Sequence, residues 1–122
     1  MTTAMRIKPP QRRASWTQKS VIGGQTFYLG FGEDADNRLV EIFITSTKEG
    51  TFTRGIMDAL ARMVSVALQC GTPVSEVVKA LKSLNFPPDG SVVGSPKVQN
   101  CVSVVDWVAQ EIQAVYPEGV VT

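Results

Sequence analysis

The chain has 122 residues, 43% of them hydrophobic and 19% charged, with a net charge of +1. That length suits a single domain with a core of its own, and the composition lies well outside the disordered range. The near-neutral balance excludes global steering toward nucleic acid or an anionic membrane, and the absence of histidine removes the commonest general base, the usual zinc ligand and every Ser-His or Cys-His arrangement.

Residues 1–14 are expected to form a flexible basic tail, because Pro9-Pro10 favours extended backbone and Arg6, Lys8, Arg12 and Arg13 concentrate charge. Such a tail is either solvated and frayed or an arm that reaches an anionic ligand or another subunit. It has no apolar core of the signal-peptide kind, and no apolar run approaches the roughly 20 residues of a membrane span. The two cysteines, Cys70 and Cys101, suit reduced thiols, so a cytoplasmic protein is expected (the host cytoplasm if phage-encoded).

Residues 15–116 are expected to fold as one α+β domain, with 117–122 a short tail. Thr17–Ile22 and Gln25–Phe31 flank Gly23-Gly24, the pairing that a tight hairpin with positive φ requires. The polar stretch 32–37 is a turn. Asp34 and Asp36 give it half the look of a calcium loop, but the later glycine and glutamate are missing, so the plain turn is preferred. Leu39–Thr45 is the clearest strand, with Val40, Ile42 and Ile44 on one face and Leu39, Glu41, Phe43 and Thr45 on the other. The loop 46–50 feeds a helix over 53–70, carried by Ile56, Met57, Leu60, Met63, Val64, Ala67 and Leu68. Gly71 ends it. Thr72 is expected to cap a second helix, with Pro73 at its first position and a stripe of Val74, Val77, Val78, Leu81 and Leu84. Residues 85–96 are rich in Pro, Gly and Ser and are expected to be loop. A third helix spans 104–116, capped by Ser103 in a box with Asp106, and buries Val104, Val108, Ile112 and Val115. The resulting fold is a two-layer sandwich of a roughly three-stranded antiparallel sheet and three helices. Leu39 and Phe43 leave the sheet's second face partly apolar, and Trp107 lies off the third helix's stripe. Both features point to a homo-oligomer.

The run Glu41-Ile42-Phe43-Ile44, then Lys48-Glu49-Gly50-Thr51, then Asp58-Ala59-Leu60-Ala61-Arg62-Met63-Val64-Ser65-Val66-Ala67-Leu68 resembles the TSCPD module that ends many adenosylcobalamin-dependent ribonucleotide reductases. The resemblance runs from about residue 17 to 115. It departs from the family where Ser103-Val104-Val105-Asp106 stands for Ser-Cys-Pro-Asp, and where Asp58 replaces a glutamate. The reductases' cysteine tail and catalytic barrel have no counterpart here, so no reductase chemistry is implied. Chains of this size and pattern are also similar to the phage Thoeris anti-defence sponge family. That second resemblance implies a non-enzymatic oligomer that sequesters a cyclic nucleotide signal of the cyclic ADP-ribose type and binds it without cleavage. The alternative is an accessory or interaction domain related to the reductase tail.

No Walker loop, G-x-S-x-G, G-x-G-x-x-G or C-x-x-C is present, and neither a cofactor nor a catalytic residue is expected. The candidate ligand residues are Thr53 and Arg54 at the start of the long helix, where free N–H groups and a guanidinium suit a phosphate. Phe86, in a Pro/Gly loop, suits base stacking, and Asn100 suits a base edge or a ribose hydroxyl. The plainer alternatives are an N-cap with a surface arginine, a hydrophobic plug and a turn residue.

Overall fold

The computed structural model describes residues 5–11, 13–46 and 51–117. Five strands form one sheet, β1 (Ser15–Ile22), β2 (Gln25–Glu33), β3 (Leu39–Ser46), β4 (Gly90–Val93) and β5 (Asn100–Cys101), in the order β3-β2-β1-β4-β5. The three helices are α1 (Thr51–Gln69), α2 (Val74–Leu81) and α3 (Val104–Val115). The α+β class and the three helices agree with expectation, but the sheet has five strands where about three were expected. The two extra strands lie in or just beyond the stretch expected to be loop. They pair over only two positions each, Val21 with Val93 and Ile22 with Val92, then Gly90 with Cys101 and Ser91 with Asn100. Elements this short are held by their neighbours, and their own periodicity is too brief to read.

The hairpin forms as its glycines require. Gly23 and Gly24 take φ of 56° and 79°, and every position from Ser15↔Gly32 to Ile22↔Gln25 is in register. The turn after β2 is held by the Asp34 carboxylate, which accepts from the Asp36 and Arg38 N–H groups at 2.9 and 3.0 Å. Between β2 and β3 the register slips at Gly32/Glu33, so Glu33 faces Leu39 and Val40 is the extra residue. A bulge reverses the alternation of faces. Leu39 is therefore buried with Ile42 and Ile44, and the expectation that it shares the outer face with Phe43 is wrong. Phe43 itself is 55% exposed.

β3 is an edge strand whose outer backbone groups need partners. α1 supplies them with side chains. The Ser65 hydroxyl accepts from the Ile42 N–H at 2.9 Å, and the Gln69 amide donates to the Val40 carbonyl at 2.9 Å. α1 buries Met57, Ala61, Val64 and Leu68 on one face. Ile56 and Met63, expected on that same stripe, are instead 47% and 67% exposed. They align with Phe52, four and eleven residues before them, which is also exposed. The helix thus carries two apolar faces, one of them uncovered.

Two further corrections concern caps. The N-cap of α2 is Pro73 with no side-chain bond, so Thr72 does not cap it, and Leu84 lies past the helix end and is exposed. At α3, Ser103 does accept from the Asp106 N–H at 2.9 Å. The reciprocal half of the box is absent: the Asp106 carboxylate accepts from the Ser83 and Val102 N–H groups at 2.7 and 3.0 Å and from the Gln110 amide at 2.7 Å. Burial raises the Asp106 pKa, but these bonds and the nearby Lys82 charge outweigh it, and the carboxyl lies below its ordinary value. α3 is buried on nearly every side, with Val115 exposed at its end. Trp107 is fully buried, 6.2 Å from Phe27 between ring centroids, and its indole N–H donates to Glu111 at 2.9 Å. It is a core residue and not an interface residue.

Candidate functional site

The arm, residues 5–11 with Arg13, docks against the C-terminal half of α1 and the outer face of β3. The Ile7 N–H donates to the Gln69 carbonyl at 2.9 Å, and the Arg6 guanidinium donates to the Gln69 side-chain oxygen at 2.7 Å. Since the same Gln69 amide also bonds β3, one buried side chain ties arm, helix and sheet edge together. Farther along, Arg13 forms an ion pair with the buried Glu41 on the outer face of β3. Gly32 stands opposite Glu41, and a Cβ there would come within 2.6 Å of the Glu41 Cγ, so the carboxylate occupies the space that glycine leaves.

Two clefts flank this arm. The larger, about 780 Å³, is lined by Met5 and Ile7 of the arm, the turn 34–38, the α1–α2 hinge 68–74 and Tyr116, and is mainly apolar. Tyr116 donates to Glu33 at 2.5 Å. Burial first, and then the Glu33 carboxylate, push its pKa well up, so it stays protonated at neutral pH. Cys70 is half-buried on this cleft and Cys101 is buried elsewhere, both as free thiols. Burial and then the Asp106 charge push the Cys101 thiol up.

The smaller cleft, about 530 Å³, lies between the arm, the outer face of β3 and the polar face of α1. Arg6, Lys8, Arg13 and Arg62 line it with Glu41, Asp58 and Phe43. Arg62 donates to Asp58 at 2.9 Å, an exposed i,i+4 pair of little energetic weight. Among the described residues, no group of three or more His, Cys, Asp or Glu is placed to hold a metal ion, and no helix is long and apolar enough to cross a membrane.

The four residues singled out in the sequence are not brought together within one chain. Thr53 is half-buried in the first turn of α1, and Arg54 is exposed. Arg54 lies one turn before Asp58 and two before Arg62 but does not itself line the smaller cleft. Phe86 and Asn100 are at the opposite end of the strand order. Phe86 is 39% exposed with its N–H on the Val102 carbonyl at 2.9 Å. Asn100 is exposed in β5, and its carbonyl accepts from Gln110. The Lys48–Gly50 turn and Arg12 lie outside the described residues. The cations that do converge come from the basic tail and from Arg62. The i,i+4 spacing of Arg54, Asp58 and Arg62 was the available signal for the helix's share.

Comparison with known proteins places these residues in a family. Relatives include the vitamin B12-dependent ribonucleotide reductases of Agrobacterium fabrum (40% identical over 111 residues, 91% of this chain and 9% of the relative) and of Bradyrhizobium diazoefficiens (41% over 111 residues, again 91% and 9%). The Rhodopirellula baltica reductase of the same name is 34% identical over 114 residues, 93% of this chain and 11% of its own. The chain thus spans about a tenth of the length of these curated relatives, and catalytic activity is not shown for so small a part. These matches do not show the resemblance to the Thoeris sponge family. No solved structure matches. With the TSCPD domain pattern matched over residues 3–116, all but the extreme ends, the chain belongs to the TSCPD domain family.

Proposed function

We propose that this chain is a non-catalytic accessory module that acts by docking on a larger body of the vitamin B12-dependent ribonucleotide reductase type. The uncovered stripe of α1 carries this reading. Phe52, Ile56 and Met63 are 78%, 47% and 67% exposed on one helix face, opposite the face that packs the core. Large apolar side chains aligned at helical spacing and left in solvent suit a protein contact. The relatives support the partner class, since in them the equivalent segment is about a tenth of a reductase.

The test is association in trans with a reductase body of the Agrobacterium kind from which its own TSCPD segment has been removed. Calorimetry should show saturable binding by the native chain, lost in the Ile56→Asp, Met63→Asp double variant. No association with a folded reductase body refutes the docking reading. Sequestration of a cyclic ADP-ribose-type signal by an oligomer is the competing reading, and there Thr53, Arg54, Phe86 and Asn100 would meet only across two copies. A concentration-dependent oligomer in light scattering, with tight uptake of that signal, would favour it.

A further inference from the structure

We propose that the cleft between the arm, β3 and α1 binds a nucleoside phosphate, with phosphates held by Arg6, Lys8 and Arg62 and the base laid on Phe43. The inference is independent of the reductase reading. It begins with charge. Four cations, Arg6, Lys8, Arg13 and Arg62, line one cleft that holds only two carboxylates, Glu41 and Asp58. Glu41 is taken by Arg13 through both of its oxygens. Arg6 is held by a neutral amide, and Lys8 has no ion pair among the described residues. Arg62 has only the exposed pair with Asp58, which a phosphate can displace at small cost.

Arg6 and Lys8 are placed by backbone and amide bonds, not by anions. The Ile7 N–H on the Gln69 backbone carbonyl and the Arg6 guanidinium on the Gln69 side-chain oxygen fix the arm across α1, and the Arg13–Glu41 pair fixes its far end. With Arg13 and Arg62 paired to Glu41 and Asp58, Arg6 and Lys8 leave the cleft with an excess of positive charge, a field that favours an anion. The aromatic side follows from Gly30. A Cβ on Gly30 would lie 3.5 Å from the Phe43 Cδ2, so the ring lies against the bare backbone of β2 while the side chain stays 55% exposed. A phenyl ring with an open surface beside cations suits a base stacked next to its own phosphates. The cleft's 530 Å³ is within the usual range for small-ligand sites.

The experiment is calorimetric titration and thermal melting of the full chain with ADP, pyrophosphate and adenosine, at low and high salt. ADP should bind and raise the melting temperature, with affinity falling as salt rises. Pyrophosphate should bind more weakly and adenosine most weakly. Lys8→Gln with Arg62→Gln, both at exposed side chains, should lose at least tenfold in ADP affinity with the ligand-free melt unchanged. Phe43→Ala should weaken ADP and leave pyrophosphate as it was. If neither ADP nor pyrophosphate binds at millimolar concentration, or the double variant binds ADP as tightly as the native chain, the site is refuted. Equal affinity for ADP and pyrophosphate would overturn the nucleoside assignment. The α1 double variant Ile56→Asp, Met63→Asp should keep its ADP affinity, which separates this site from the docking face.

Discussion

Removing the Asp106 carboxylate should show how much one side chain does for the α2–α3 connection. It accepts from the Ser83 N–H, the Val102 N–H and the Gln110 amide, joining the segment after α2 to the segment before α3. Ser83 is held at φ 70°, a conformation that costs energy in a non-glycine residue and that the bond to Asp106 restrains. Hydrogen bonds to a charged acceptor contribute about 1.5–3 kcal/mol each, but three sharing one carboxylate are not additive. Ser83 and Val102 are both exposed, so water can take over part of their N–H bonding. Asp106→Ala should therefore cost about 2–4 kcal/mol, and Asp106→Asn, which keeps one acceptor oxygen, about half of that. The carboxyl is depressed below its ordinary value in the folded state. Its contribution is thus fully present above the unfolded value near 3.8 and is lost as pH falls through the lower folded value. Urea denaturation at pH 7 and pH 3 is the assay. The gap between native chain and alanine variant should narrow at the lower pH. An alanine variant within about 0.5 kcal/mol of the native chain at pH 7, below the usual contribution of even one such bond, would refute the clamp.

Two other outcomes test the packing. The Ser20 hydroxyl is buried in β1 without a hydrogen-bond partner among the described residues, so Ser20→Ala should be neutral or stabilise by up to about 1 kcal/mol in a urea melt, and a clear loss would mean the hydroxyl is satisfied. Ser65→Ala removes the group that meets the Ile42 N–H and carbonyl at the β3 edge, and should cost about 1–3 kcal/mol with faster hydrogen exchange at Ile42; unchanged exchange there would show that α1 does not cover the edge.

Much of the architecture was legible because it follows from local chemistry. Gly23-Gly24 allows only a tight reversal, Gly71 and Pro73 end one helix where the next begins, and Ser103 caps α3 as its position implies. What escaped depends on residues far apart in sequence. The Gly32/Glu33 bulge turns Leu39 inward, and no pattern within β3 announces it. Trp107 looked peripheral against a single-stripe helix, yet α3 is enclosed on nearly all sides, and Glu111 one turn on satisfies its N–H. The candidate cleft was half legible. The basic cluster at Arg6, Lys8 and Arg13 was visible, but its docking depends on Gln69, more than fifty residues later.

That docking has a mechanical consequence. Lys8, Pro9 and Gln69 line both clefts, so the arm is a common wall between an apolar chamber and a cationic one. A guest that draws the wall toward itself narrows its own chamber and widens the neighbour's. Two guests on opposite sides would then each alter the other's affinity by the same factor, with no path through the core required. Gln69 is the pivot of that wall, and shortening its side chain to alanine would loosen both chambers at once.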